Sequence, residues 1–334
     1  MAQNVRVPVA VHRIVAGKFR RYHHLSTARQ LVMPQIVFAN IRDGFKVGIG
    51  FVQSLVLLSK FRPDVVFAKG GYVCLPVGMA AKFLGIPIVI HDSDARPGLT
   101  NRVLARWATA IATGSPLENY PYRKEISRYI GVPIGAEFRP YNQSMQEAAK
   151  AALGFDPRAP LVVITGGGLG ARSINMATLE DVSQLLSEGI NIYHITGHLH
   201  FDEVSMLAPK DAHYQVVPFV YEGMASTLGA ADIVVSRASA TFVQELAGLA
   251  KTAILVPARA LGDQHKNADV YRNADAALVL TDDELGVSRA LYGAIHTLLS
   301  DTQRREQLAA HLHAFARPNA ARDVATMIIE TVHT

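Results

Sequence analysis

Twice in this chain a short run rich in β-branched residues ends directly in glycines and gives way to a helical pattern. That succession constrains the fold more than any other feature. The clearer case is Leu161–Thr165 followed by Gly166-Gly167-Gly168-Leu169-Gly170-Ala171-Arg172, and the other is Asp64–Ala68 followed by Lys69-Gly70-Gly71-Tyr72. Glycine lets the backbone turn sharply from strand into helix, and it lets N–H groups approach an anion at the positive end of that helix. Taken alone, each turn is equally a tight strand–helix connection. The spacing of the second does not fit GxGxxG, and no acid ends the next strand to hold a dinucleotide ribose.

Similar runs alternate with helical stretches along the chain, the pattern of an α/β protein with parallel sheets. Strands are expected at Val5–Val11, Asp64–Ala68, Pro87–His91 and Thr109–Thr113, then at Leu161–Thr165, Asn191–Thr196, Tyr214–Phe219, Asp232–Ser236, Thr252–Val256 and Ala277–Leu280. The second group suffices for a complete doubly wound unit. Helices are expected at Val47–Lys60 and Leu99–Trp107, and at Glu284–Ser300, Thr302–Ala316 and Ala320–Val332 near the end. Gly131–Tyr141, with Pro133 and Pro140 and no periodicity, reads as a hinge. The expected organisation is a first domain over 1–135, a second over 136–320, and a terminal helix over 321–334. No strand–glycine–helix turn precedes Asp64, so the first domain reads as partial.

Composition narrows the function classes. Hydrophobic residues make up 49% and charged residues 18% of 334, which excludes a disordered chain. One cysteine, Cys74, excludes a disulfide framework and any cysteine-based zinc site, and it reads as a small packed residue. No uninterrupted apolar run reaches the roughly 18–20 residues of a spanning helix; the longest, Val47–Leu58, is broken by Gln53 and Ser54. Residues 1–62 carry ten basic residues and a single acid, Asp43. A basic, acid-poor segment around an apolar one suits an anionic membrane surface, at about 1 kcal/mol per basic group near the lipid. No basic–aromatic motif points to nucleic acid. The alternation from Val5 to Val15 argues for a strand over a transit peptide.

Two further elements carry chemistry. Ser236-Arg237-Ala238-Ser239 leads into Ala240–Glu245, where small residues at a helix start suit a diphosphate and Glu245, about one turn in, suits a ribose diol. The same residues also suit an ordinary cap by Ser239 or Thr241. Gly262-Asp263-Gln264-His265-Lys266-Asn267-Ala268 gathers polar side chains able to read sugar hydroxyls. His194, His198 and His200 have loosely ligand-like spacing, but with imidazole alone they read as a polar strand end, and no metal is expected. His91, at the end of a strand, is the one weak candidate for a catalytic base.

With Gly70-Gly71-Tyr72-Val73 and Pro76, Leu84-Gly85-Ile86-Pro87, His91-Asp92-Ser93-Asp94, Gly98-Leu99-Thr100-Asn101, Gly166–Arg172, Asn175, and Gln264 with Asn267-Ala268, the chain resembles the MurG family of bacterial cell-wall glycosyltransferases. The resemblance runs over nearly all of residues 5–330. It implies a GT-B architecture, two Rossmann-like domains facing a cleft, with the N-terminal one incomplete. It implies inverting transfer of GlcNAc from UDP-GlcNAc to a polyprenyl-diphosphate-linked muramyl peptide, without a cofactor, at the cytoplasmic face of the bacterial membrane. The substrate-binding residues it implies are Asp94, Gly168, Asn175, Val220, Ala240, Thr241, Phe242, Val243, Gln244, Glu245 and Gln264, with Val220 near the uracil, Ala240–Glu245 at the ribose and diphosphate, and Gln264 at the sugar. Gly70, Gly71 and Tyr72 are implied for the acceptor diphosphate. The family's first glycine-rich loop, with its histidine, has no counterpart before Val5. Asp94 replaces an Asn, Gly135 an Arg and Gly168 a Ser of the family pattern. The chain alone is therefore expected to be a poor catalyst. A donor-binding subunit that needs a partner, or a transferase of another UDP-sugar, fits the same residues.

Overall fold

The computed structural model describes residues 9–18 and 33–333. Among the described residues the first regular element is a 28-residue helix, α1 (Pro34–Phe61). Pro34 opens it with a φ already suited to a first turn. Arg62 closes it in the left-handed region (φ 50°), its N–H donating to the Leu58 carbonyl, and Pro63 blocks continuation. The helix starts well before the expected Val47, since its buried stripe is made largely of small and polar residues that no apolar pattern marks. Ala39, Asp43, Val47, Gly50 and Ser54 point inward, while Phe38, Ile41, Phe45, Ile49, Val52 and Val56 are exposed. Over Val37–Phe61 it is long and apolar enough to cross a membrane. This corrects the expectation drawn from unbroken apolar runs. Backbone from the segment 9–18 lies on the buried stripe: the Val15 N–H donates to Gln53 Oε1 at 2.8 Å. A side chain at Gly50 would collide with the Val15 carbonyl, and one at Gly17 with that of Asp43. Of the strand expected at Val5–Val11, residues 5–8 lie outside the described residues and 9–11 have no regular secondary structure.

The first sheet follows: β1 (Val66–Ala68), α2 (Cys74–Phe83), β2 (Ile88–Asp92), α3 (Leu99–Leu104), β3 (Ala110–Thr113) and β4 (Ser127–Tyr129). Among the described residues the four strands are parallel, in the order β1-β2-β3-β4, with β1 at an edge. β1, β2 and β3 lie within two residues of the expected strands. β4 is an addition to them, because Ser-Arg-Tyr carries no apolar run.

The second half starts with α4 (Gln143–Ala152), capped by Asn142, whose side chain accepts from the Met145 N–H at 2.9 Å. Strands β5 (Leu161–Thr165), β6 (Asn191–Ile195), β7 (Tyr214–Val217), β8 (Ile233–Ser236), β9 (Thr252–Leu255) and β10 (Leu278–Val279) form a parallel sheet in the order β10-β9-β8-β5-β6-β7. Between them run α5 (Arg172–Ser187), α6 (Phe201–Leu207), α7 (Met224–Ala230), α8 (Ala240–Gly248) and α9 (Gly262–Asn273). Every residue of central β5 is buried, as a parallel strand covered on both faces requires. The chain ends with α10 (Asp282–Leu285), α11 (Ala290–Ser300), α12 (Thr302–His313) and α13 (Ala320–Val332).

Helix α13 crosses back to the first half. Its Ala320, Val324 and Met327 pack on Val89, Ala112 and Ile130. Arg128 pairs with Glu330 at 2.8 Å, and the Arg317 guanidinium lies 4.4 Å from the centre of the Tyr129 ring. The terminal helix expected over 321–334 is thus part of the first core.

Candidate active site

A cleft of about 940 Å³ opens beside the C-terminal ends of β1 and β2, the end of a parallel sheet where α/β proteins bind ligands. Gly70 (φ 90°) and Gly71 (φ 85°) turn the chain out of β1 in a conformation that other residues adopt rarely. Both line the cleft with Tyr72. Beneath them Asn101 is buried, its Nδ2 donating to the His91 carbonyl at 3.2 Å and its Oδ1 unpartnered. Cys74 Sγ donates to the Gly70 carbonyl at 2.8 Å, and burial pushes the thiol's pKa up, so it braces the turn. Lys18, Lys69, Arg96 and Arg102 also line the cleft, and cations there complement an anionic ligand.

His91 does not face the cleft. It is fully buried, its Nε2 donates to the Gly131 carbonyl at 2.8 Å, and Ser93 Oγ lies 3.4 Å from its Nδ1. Burial, helped by nearby Lys69, pushes its pKa below the ordinary value despite that hydrogen bond. The candidate base is a structural pin between β2 and the chain leaving the first half. Its neighbour Asp92 lines the cleft and accepts from the Tyr122 hydroxyl at 2.6 Å. Burial raises the Asp92 pKa to about 6, against the opposing hydrogen bonds. No motif links residues 92 and 122, so nothing in the sequence points to this pair.

The two halves meet at Asn267, which is almost fully buried. Its Nδ2 donates to Asp94 Oδ1 at 2.9 Å and to the Ala238 carbonyl at 3.1 Å, and its Oδ1 accepts from the Ala95 N–H at 2.8 Å. The Asp94 carboxylate thus accepts a hydrogen bond from the second half. Burial raises the Asp94 pKa, the Asn267 bond lowers it, and Asp263 nearby raises it further.

On the second half, the turn after β5 is held by backbone contact. A side chain at Gly170 would strike the Thr196 carbonyl, and one at Gly166 would strike Ala171. Gly168 has open space instead, so its lost Ser leaves room rather than a filled gap. At Gly135 the Glu137 carboxylate occupies the position of a side chain. Of the run 240–245, Thr241 and Glu245 lie one turn apart, Thr241 exposed and Glu245 partly buried. Ala240 and Val243 are buried, with Phe242 partly buried against the same core. Gln244 turns away, donating through Nε2 to the Phe315 carbonyl at 3.0 Å. Asn175 is also turned inward: its Oδ1 lies 3.0 Å from His194 Nε2 and its Nδ2 donates to the Thr196 carbonyl at 3.0 Å. The two inward side chains share a cause, since a polar residue at the inner stripe of a buried helix must spend its hydrogen bonds internally. His194 Nδ1 meets the Tyr214 hydroxyl at 2.8 Å, so both ring nitrogens are occupied. Val220 packs on the core edge. Gln264 Oε1 accepts from the Ala258 N–H at 2.9 Å, which ties the loop after β9 to the start of α9.

Known proteins divide in the same way. Residues 4–113 match the glycosyltransferase family 28 N-terminal domain, and residues 161–324 match the family 28 C-terminal domain. The chain is 34% identical over 302 residues to a UDP-N-acetylglucosamine–N-acetylmuramyl-(pentapeptide) pyrophosphoryl-undecaprenol N-acetylglucosamine transferase of Geobacillus kaustophilus, covering 90% of this chain and 79% of that one. It is 32% identical over 323 residues to the transferase of the same name from Frankia casuarinae, covering 94% and 84%. Among solved structures, Acinetobacter baumannii MurG superposes with a TM-score of 0.72 at 25% identity, covering 86% of this chain and 79% of that one. S. aureus MnaA in complex with UDP shares the fold at 11% identity, with a TM-score of 0.61 and coverage of 84% and 79%.

Proposed function

The chain belongs to glycosyltransferase family 28, and on that premise we propose that it transfers N-acetylglucosamine from UDP-GlcNAc to a lipid-linked muramyl-pentapeptide diphosphate in peptidoglycan synthesis. One observation carries the reading: the cation-lined cleft around Gly70, Gly71 and Tyr72 is bordered by Asp263 of helix α9, and the next residue of that helix is Gln264, on the donor side. Acceptor and donor then meet at one seam. Thr241 and Glu245 hold the UDP, with the start of α8 directed at its diphosphate, and Gln264 reads the sugar. Gly168 leaves space for the diphosphate in the turn after β5. The acceptor diphosphate rests on the Gly70-Gly71 turn beside Lys69 and Arg102. The acceptor hydroxyl attacks the anomeric carbon from the face opposite UDP in a single inverting displacement, and positive helix ends and N–H groups stabilise the departing diphosphate.

Such an enzyme works at the surface of the membrane that holds its acceptor. The exposed stripe of α1 and the basic residues near it seat the protein on the cytoplasmic leaflet. Two measurements test the reading. Calorimetry is expected to detect UDP-GlcNAc binding, with Glu245→Ala weakening it by about 1.5–3 kcal/mol, the range for hydrogen bonds to a charged group. A radiolabelled transfer assay with a lipid-linked muramyl peptide is expected to yield the disaccharide product. Unchanged affinity in Glu245→Ala removes that residue from the site, and absence of product rejects the reaction.

A further inference from the structure

The displacement requires a group that takes the proton from the acceptor hydroxyl, and His91 is sealed away from the cleft. Resting on the transfer reading above, we propose that Asp263 is this base, supplied to the acceptor pocket by the donor half. Among the described residues lining the cleft, every one comes from the first half of the chain except Asp263, in the first turn of α9. The other carboxylates there are engaged: Asp92 holds the Tyr122 hydroxyl at 2.6 Å, and Asp94 holds Asn267 Nδ2 at 2.9 Å. Asp263 is partly exposed, and among the described residues no hydrogen bond or ion pair occupies it. An acid in a first helical turn often serves only to cap backbone N–H groups. Asp263 makes no such bond, and the helix has no side-chain cap.

Its position is nonetheless held. Asn267, one turn further along α9, is locked to Asp94, Ala95 and Ala238. Gln264 ties the helix start to Ala258. An acceptor whose diphosphate lies against Lys69 and Arg102 has its sugar hydroxyl left for the edge of the pocket that Asp263 supplies. In the step, the O–H bond breaks and its proton passes to the Asp263 carboxylate. The oxygen forms a bond to the anomeric carbon, and the bond from that carbon to the UDP oxygen breaks with its electron pair leaving on UDP.

The test uses the full chain, its Asp263→Asn and Asp263→Ala variants, the lipid-linked muramyl acceptor and UDP-GlcNAc. Asp263→Asn is expected to lower kcat by about 10²–10⁴-fold, the usual contribution of a general base, with UDP-GlcNAc affinity by calorimetry changed less than about threefold. Formate added to Asp263→Ala is expected to restore turnover, which a merely structural role would not allow. An Asp263→Asn enzyme with kcat near that of the unaltered chain overturns the proposal. So does a loss of turnover that falls together with donor affinity and is not rescued by formate. If the unaltered chain binds UDP-GlcNAc but forms no product, the transfer reading fails and this proposal fails with it. Where the unaltered chain does form product, a failure in the variants counts against Asp263 alone.

Discussion

Glu245 holds its charge at a penalty: burial, with Glu137 nearby, raises its pKa from 4.5 to about 7. The ionised carboxylate offers the ribose diol more acceptor positions than the acid does. Donor affinity is therefore expected to rise as pH increases from about 6 to about 8, across that pKa, read by calorimetry. Glu137→Gln, by removing the like charge, is expected to move that midpoint toward lower pH. The same shift has a stability sign. A carboxyl raised in the folded state favours folding below its unfolded pKa, so this contribution is lost between about pH 4.5 and 7. A pH-independent affinity would take Glu245 out of the ribose contact. At this scale residue types are legible in the sequence but their directions only in part. The run 240–245 is legible as a helix start, whereas the inward turn of the polar Gln244 and Asn175 is not. His91 sits at a strand end, as expected, yet its hydrogen bond to Gly131 depends on a contact across forty positions that no local pattern encodes.

Among the elements, α1 shows most clearly what patterning reads and what it misses. Parallel strands announce themselves by unbroken runs such as Leu161–Thr165, and nearly all lie within two residues of where those runs put them. β4 escapes because pairing with β3, rather than its own composition, makes it a strand. In α1 the usual rule is inverted, with small residues inward and Phe38, Phe45, Ile49 and Val56 outward. An exposed apolar stripe beside Arg42, Lys46, Lys60 and Arg62 is the pattern with which a helix can lie in a membrane interface, and it is the contact proposed above. Vesicle flotation is expected to show binding that strengthens with anionic lipid. Phe45→Glu with Ile49→Glu is expected to abolish it while leaving UDP-GlcNAc affinity unchanged, since neither side chain packs on the donor half. Equal flotation of this double variant would reject the stripe as the contact.

Across the whole molecule, the sequence announces two units but not how they are joined. Asn267 links Asp94, Ala95 and Ala238, and α13 returns to the first sheet. Asn267→Ala leaves the half-buried Asp94 carboxylate, an N–H and a carbonyl without their partner, at about 1–3 kcal/mol for an unsatisfied group. Thermal unfolding is expected to shift down and to broaden as the halves lose their coupling. A single sharp transition at the original temperature would show that the latch carries none of it. The return of α13 has a mechanical meaning. The chain passes between the halves twice, after β4 and again before α13, and the two passages touch, because a side chain at Gly131 would strike Arg317. A body hung from one strap can swivel freely. One hung from two adjoining straps swings like a door, about a single axis that runs through Gly131 and Arg317, with Asn267 as the bolt on the free edge.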